Sequence, residues 1–368
     1  MKALVLLADT ADNGGIQRFN RLFCRAMAEE FSNSDFVALS LHDPRGYKAV
    51  DARNVTTVCC GRFRPALLRK VIFAVKAISH AIAKKPDVII CGHVDLSGLA
   101  LAAKRFYGIR YIVLTHGVDV WTLKSGLKYA GLKYADKIFA VSEYTKRRMV
   151  ENGIPAARVG ILHNAVDTGY FRPAPPDKTL AARLGLEGRK AILTVGRMVK
   201  SERYKGHDTI LRALALLPDA YIWIVAGEGD DADRLRAEAG KHGLGRRVRF
   251  VGRVADSELI CYYNLCDCFV MPSRGEGFGI VFLEAMACGR PVIGGNSDGC
   301  AEPIRDGQLG FLVDPDDERE LAETITRACR HDEEKTSPEI LPAMAEKYFG
   351  IGTFRATVKA LLREFLSV

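Results

Sequence analysis

Pro272-Ser-Arg-Gly-Glu276-Gly-Phe-Gly-Ile-Val-Phe-Leu-Glu284-Ala-Met-Ala-Cys-Gly-Arg-Pro291 lies between two short apolar runs, Cys268–Met271 and Val292–Gly294. The stretch reads as strand, glycine loop, helix, strand. Apolar runs of this length, without polar alternation, fit strands buried on both faces, as parallel sheets are. The βαβ grammar repeats outward. Ala191–Val195, Ala220–Ala226 and Val248–Val251 read as further strands. His207–Leu217, Ala232–His242, Asp256–Leu265 and Ile280–Cys288 read as the helices between them.

The same alternation fills the first half of the chain. Strands fit Ala3–Leu7, Phe36–Leu41, Val55–Cys59, Val88–Cys91, Tyr111–Thr115 and Lys137–Val141. Helices fit Gln17–Glu30, Leu67–Lys84, Leu96–Tyr107 and Glu143–Glu151. Between the halves lies Tyr170-Phe-Arg-Pro-Ala-Pro-Pro-Asp177, where three prolines in four residues exclude helix and mark a linker. The chain of 368 residues therefore divides into two doubly wound α/β domains. Their ligands are expected at the carboxyl ends of the strands, in a cleft that both domains face. A final amphipathic helix, Phe354–Phe365, must pack on one of them.

Composition narrows the classes. The chain is 48% hydrophobic and 26% charged, as globular proteins are. The apolar start, Ala3 to Ala8, stops at Asp9 and is too short for a signal segment. No window reaches the length of a membrane span. Ten scattered cysteines without a CxxC pair point to reduced thiols, and neither a zinc site nor a disulfide framework is expected. The net charge of +9 is concentrated in the first half, where 25 Lys+Arg stand against 14 Asp+Glu up to Asp167. The segment Arg62–Lys85 holds seven bases and no acid, interleaved with Leu67, Leu68, Val71, Ile72, Val75, Ile78 and Ile82. An anionic membrane surface is the expected partner for it. A core-facing helix with a solvated basic back is the alternative, and nucleic acid is not expected.

Four loops carry the candidate chemistry. In the opening stretch, Gly277 and Gly279 let backbone amides approach a ligand, and the helix that follows favours anions. Glu276 and Glu284 could accept from paired hydroxyls of a sugar and a ribose. As a bland alternative they would be a first-turn capping acid and a solvated helix residue. In Val195-Gly-Arg197-Met-Val-Lys-Ser-Glu-Arg-Tyr-Lys205-Gly-His, Arg197 and Lys205 could neutralise a diphosphate. Asp12-Asn13-Gly14-Gly15-Ile16-Gln17 is a glycine turn that could bring amides to a phosphate or a sugar, and it is not a dinucleotide fingerprint. Thr115-His116-Gly117-Val-Asp119 puts a histidine and an acid at a strand end. Asp231-Ala-Asp233 has the form of a metal-binding DxD. At a helix start its acids are better read as N-terminal ones, and no metal is expected.

Taken in order, these landmarks resemble retaining glycosyltransferase family 4 of the GT-B fold over nearly the full length. The match rests on Gly14-Gly15, His116-Gly117, Ala140-Val-Ser142, His163-Asn-Ala-Val-Asp167, Gly196-Arg197 with Lys205-Gly206, and Gly227-Glu-Gly229. It continues through Phe250-Val-Gly252, Glu276 to Glu284, and Glu302 to Pro315. The resemblance implies two Rossmann-like domains: 1–169 for the acceptor, with a C-terminal helix 351–368 crossing back to it, and 170–350 for the donor. It implies that Arg197 and Lys205 bind the donor diphosphate and that Glu284 binds the ribose. Glu276, Gly277 and the amides near Phe278 and Gly279 would hold the transferred sugar. Gly15 would lie against the phosphates, and His116 would face the sugar. Arg253 and Val254 would meet the base, with Ser142 and Asp119 in support. Two departures stand out. Arg197 and Lys205 are separated by a longer insert than usual, so Arg203 could compete for phosphate. His163-Asn-Ala also replaces the usual Pro-Asn-Gly.

The implied activity is retaining, metal-independent hexosyl transfer without a cofactor. The donor would be a nucleotide-diphosphate sugar, UDP-hexose first and GDP-mannose second. The acceptor would be a glycan or lipid-linked, in cell-surface polysaccharide or lipopolysaccharide assembly. The expected location is cytoplasmic, peripheral on the inner face of the plasma membrane. A sugar-nucleotide epimerase or phosphorylase on the same fold, and a non-catalytic carbohydrate- or lipid-binding protein, are the alternatives.

Overall fold

The computed structural model describes residues 1–12, 14–61 and 65–367. Asn13 of the glycine turn, and Arg62 and Arg64 of the basic segment, lie outside them. The chain forms two compact units, Met1–Asn164 with Gly352–Val368, and Ala165–Ile351.

Unit 1 is built on seven strands: β1 (Lys2–Leu7), β2 (Asp35–Ser40), β3 (Val55–Cys59), β4 (Val88–Cys91), β5 (Tyr111–Thr115), β6 (Lys137–Ala140) and β7 (Val159–Ile161). They pair in the order β3-β2-β1-β4-β5-β6-β7, and every pairing is parallel. The helices are α1 (Gly15–Glu30), α2 (Ala66–Lys84), α3 (Ser97–Tyr107), α4 (Val118–Trp121), α5 (Gly126–Lys133) and α6 (Glu143–Glu151). Burial of β4 and β5 along their whole length explains their unbroken apolar runs. The chain's last helix, Ile351–Leu366, packs on this unit. Phe354 meets Phe19 edge-on at 5.7 Å, Arg110 lies over the Phe365 ring at 4.6 Å, and Lys359 reaches Glu30 at 2.8 Å.

Unit 2 contains α7 (Lys178–Leu184), β8 (Lys190–Val195), α8 (His207–Leu216), β9 (Tyr221–Ala226), α9 (Ala232–Lys241), β10 (Val248–Gly252) and α10 (Asp256–Leu265). It continues with β11 (Cys268–Met271), α11 (Ile280–Ala287), β12 (Val292–Gly295), β13 (Phe311–Val313), α12 (Glu318–Ala328) and α13 (Ile340–Phe349). The sheet order is β10-β9-β8-β11-β12-β13, again all parallel.

The boundary falls five residues before the expected one. Ala165 to Phe171 is tied to unit 2 rather than to unit 1. Val166 donates its amide to the Phe349 carbonyl at 2.9 Å, and the Tyr170 hydroxyl donates to the Asp256 carbonyl at 2.8 Å. Strand order reverses between β1 and β4 in unit 1 and between β8 and β11 in unit 2. Loops leaving the carboxyl ends of those strands diverge there, so each sheet opens a crevice at its own switch point.

Candidate active site

In unit 2 the switch point gathers the loops after β8 and β11. Lys205 comes from the first and Glu276 from the second. The ammonium donates to Glu276 Oε1 and lies 3.9 Å from Glu202 Oε2. The lysine side chain is only 14% exposed. Burial alone would lower its pKa. The Glu276 carboxylate more than offsets this, so the pKa is raised and the ammonium stays charged. Arg197 is 74% exposed and contacts Glu202, which places that acid beside both cations.

Backbone constraints hold this arrangement. Gly206, between Lys205 and α8, has φ +81°, and a Cβ there would come within 2.4 Å of the Pro272 carbonyl. Only glycine fits that contact between the two loops. Asp298 is buried. It accepts from the Glu276 amide at 2.6 Å and from the Cys300 amide at 2.9 Å. Burial nonetheless pushes its pKa up. Gly279, with φ +90°, begins α11 and has no side chain to cap it. The first-turn amides of α11 therefore favour a ligand anion at this edge.

The two glutamates of the opening stretch occupy different environments. Glu276 is partly exposed in the loop. Glu284 is 1% exposed and accepts from the Tyr263 hydroxyl at 2.7 Å. The reading of Glu284 as a solvated helix residue therefore fails, because it faces α10 rather than water. The Phe278 ring is buried and meets Phe349 edge-on at 5.7 Å, so only its backbone can serve a ligand. Arg253 is exposed after β10, and its amide donates to Glu228 Oε1 at 3.3 Å. Val254 beside it is half-buried.

One expectation about this unit needs correction. Arg203 does not compete for a phosphate. Its guanidinium donates to the Asp231 carboxylate at 2.7 Å, and Arg234 grips the same carboxylate at 2.6 and 2.8 Å. Asp231 is buried, its side chain makes no cap bond to α9, and its two arginines hold its pKa down to about 2. Asp231 and Asp233 do stand at the N-terminus of α9, and Asp231 is in addition the centre of a salt-bridge cluster. Among the described residues no group of three or more His, Cys, Asp or Glu side chains is placed to hold a metal. His207, buried at the start of α8, has its pKa pushed down to about 4, by burial first and then by Lys205.

In unit 1 the switch point joins the glycine turn after β1 with the loop after β4. Gly14 is the residue before α1 and Gly15 is its exposed first residue. The turn before them is braced by Asp43, which accepts from the Thr10 and Ala11 amides at 2.8 Å. Burial, then the neighbouring Asp43 carboxyl, raises the Asp9 pKa to about 6. His116 follows β5. Its Nε2 donates to the Gly92 carbonyl at 2.8 Å, which assigns the tautomer and leaves Nδ1 as an acceptor. Burial against Phe19 and His93 drives its pKa down to about 4, against the opposing pull of that carbonyl. Asp119 accepts the His116 amide at 3.1 Å and so fixes the turn. Ser142 is fully buried and caps α6, accepting from the Thr145 amide at 3.0 Å.

Some site residues were missed in the sequence. His93 stacks on His116 with ring centroids 6.0 Å apart, and its Nε2 lies 4.0 Å from Asp119 Oδ2. Its signal was available: Gly92-His93 follows a buried strand just as His116-Gly117 does. Tyr263 and Asp298 carry no motif, and only the packed structure brings them to Glu284 and Glu276.

Two doubly wound parallel sheets in tandem, each with its polar loops at the switch point, define the GT-B fold class. Matches to known proteins agree with this. The model described as Glycosyltransferase Family 4 matches residues 13–170, and that described as Glycosyl transferases group 1 matches residues 177–339. Together they span both units, and the chain belongs to this family of group 1 glycosyltransferases. The GDP-mannose-dependent alpha-(1-6)-phosphatidylinositol monomannoside mannosyltransferase of Mycobacterium tuberculosis is 36% identical over 235 residues, 60% of this chain and 60% of the relative's length. The D-inositol 3-phosphate glycosyltransferase of Mycobacterium sp. strain KMS is 33% identical over 198 residues, 52% of this chain and 44% of the relative's length. The chain thus spans about two-fifths to three-fifths of the length of these relatives. The crystal structure of Anabaena HepE in complex with UDP and glucose superposes with a TM-score of 0.80 at 22% identity, covering 99% of this chain and 100% of that one.

Proposed function

We propose that the protein is a retaining, metal-independent glycosyltransferase that moves a hexose from a nucleoside-diphosphate sugar to a glycan or lipid-linked acceptor. The observation that carries this reading is the Lys205–Glu276 pair at the unit 2 switch point, beside Arg197 and the glycine-started helix α11. Lys205 and Arg197 hold the diphosphate. As the bond from the anomeric carbon to the diphosphate oxygen breaks, negative charge builds on that oxygen. Cations already in place stabilise the transition state more than the ground state. The acceptor hydroxyl oxygen forms the new bond on the same face, and its proton passes to the departing diphosphate.

Glu276 is read as a positioning and electrostatic group, not as a nucleophile. Its carboxylate is anchored by Lys205 and its amide by Asp298, which suits holding sugar hydroxyls. Glu284, oriented by Tyr263, serves the ribose. Gly15 serves the phosphates, and the backbone at Arg253 and Val254 the base. His116 offers Nδ1 to a sugar hydroxyl, with Asp119 and Ser142 supporting their loops.

GDP-mannose now stands ahead of UDP-hexose as donor, because the mycobacterial relative at 36% identity is named for it. Assembly of cell-surface polysaccharide or lipopolysaccharide is the proposed setting. The test is product analysis with GDP-mannose or UDP-hexose and an acceptor panel. Acceptor-dependent release of nucleoside diphosphate, with the anomeric configuration kept, supports the reading. Donor turnover that ignores the acceptor, or an inverted product, refutes it.

A further inference from the structure

Helix α2 is apolar on two faces, about a third of a turn apart. Phe73, Ala77 and Ala81 are buried against unit 1. On the second face Leu67, Val71, Val75, Ile78 and Ile82 form a stripe at helical spacing, each between 39% and 72% exposed. Leu68, 49% exposed, widens it, and Tyr107 of α3, 50% exposed, lines the same crevice as Ile78. The helix is core-facing, as the alternative held, but its outward face is not simply a solvated basic back, since it is itself aliphatic. Soluble surfaces rarely present such a stripe without a partner.

Charge decides which partner fits. From Ala52 to Pro86 there is no acid. Lys70 and Lys76 lie on either side of the stripe, and Lys84 and Lys85 end the helix. A second copy docking face to face would bring these bases together with no acid from this segment to pair them. A nucleic acid would leave the aliphatic centre unmatched. An anionic bilayer satisfies both features, because acyl chains take the stripe and headgroups take the lysines. We infer that α2 is an interfacial anchor that lies in the plane of an anionic membrane with this stripe immersed. The helix is 19 residues long, and among the described residues no helix is long and apolar enough to cross a membrane. Contact is thus peripheral and salt-sensitive.

The experiment is co-sedimentation of the full chain with phosphatidylglycerol-containing vesicles and with pure phosphatidylcholine vesicles, read without turnover. Binding is expected to the anionic vesicles at low salt and to fall as salt rises. Val71→Ser, Val75→Ser and Ile78→Ser combined should weaken it at least about tenfold. Lys70→Gln, Lys76→Gln and Lys84→Gln should each weaken it about fivefold. Because the serine set could disturb the fold, the lysine set gives an independent reading. Absence of binding, equal binding to both vesicle types, or binding indifferent to the lysine set would overturn the inference. So would a concentration-dependent dimer in sedimentation velocity that the serine set dissolves.

Discussion

Replacing Lys205 by alanine removes the most deeply set cation of the proposed donor site. Its side chain is 14% exposed, its ammonium contacts Glu276, and Glu202 lies 3.9 Å away. Removing one preorganised charge-stabilising donor typically costs about 3 kcal/mol in the transition state, or roughly two orders of magnitude in rate. The variant also leaves Glu276 without its cation, at a further cost of about 1–3 kcal/mol in folding stability. The two effects separate in a double variant. Lys205→Met with Glu276→Gln removes both charges at similar volume, so stability should recover while turnover stays low. The assay is acceptor-dependent release of nucleoside diphosphate, run beside urea unfolding. Lys205→Arg should recover little, because a planar fork cannot take the place of a compact ammonium. Turnover of Lys205→Ala within about threefold of the parent would refute the diphosphate role.

Tyr263→Phe removes the hydroxyl that donates to buried Glu284 at 2.7 Å. Stability should fall by about 1–3 kcal/mol in urea unfolding, and donor affinity should fall with it in calorimetry. The buried histidines should lose their contribution to stability in acid. His116 and His207 sit at about 4 in the fold against 6.5 ordinarily, so between those values the unfolded chain binds protons that the fold rejects. Their stabilising contribution is complete above 6.5 and is lost as pH falls toward about 4. Asp9, at about 6 against 3.8, opposes this, since its contribution is lost as pH rises through about 6. Asp298 and Asp119, also raised by burial, oppose it in the same way, while His93 acts with the two histidines, so each of His116 and His207 is worth on the order of 1.4 kcal/mol per pH unit between about pH 6 and pH 4 against that background. Unfolding free energies of the parent and of His207→Gln across that range check this: the variant should gain on the parent by about that amount per unit as pH falls. Chelation should leave turnover unchanged. A rate that EDTA abolishes and magnesium or manganese restores would contradict the metal-independent reading.

Much of this architecture was legible in the residues, because buried parallel strands write themselves as short continuous apolar runs. Val55–Cys59, Val88–Cys91, Tyr111–Thr115 and Cys268–Met271 stand where those runs lie. The strands that were missed, β7 and β13, are three residues each at sheet edges. Such runs are too short for periodicity to register, and only pairing with a neighbour defines them. The boundary after Asn164 was missed for a related reason. Prolines mark where a helix cannot form, whereas the bonds of Val166 and Tyr170 decide which unit holds the segment. Loop residues such as Lys205, Glu276 and His116 were readable because glycines and strand ends flag ligand edges. Partners supplied from another element were not. Nothing in the Tyr263 neighbourhood of α10 indicates that its hydroxyl meets Glu284. Periodicity alone also could not say which apolar side of α2 faces the core, because both sides are apolar.

Unit 2 is proposed to bind a nucleoside-diphosphate sugar through Lys205 and its neighbours. A thermal-shift panel of nucleotide sugars on the parent and on Lys205→Ala tests it most directly. A ligand present at a hundredfold excess over its Kd stabilises the native state by about 2.7 kcal/mol, which should move the unfolding midpoint by several degrees. Such a shift is expected with one donor, GDP-mannose first and UDP-hexose second, with a comparable shift for the matching nucleoside diphosphate and loss of both in Lys205→Ala. A parent protein whose midpoint no nucleoside-diphosphate sugar moves, or shifts that survive intact in Lys205→Ala, would contradict it.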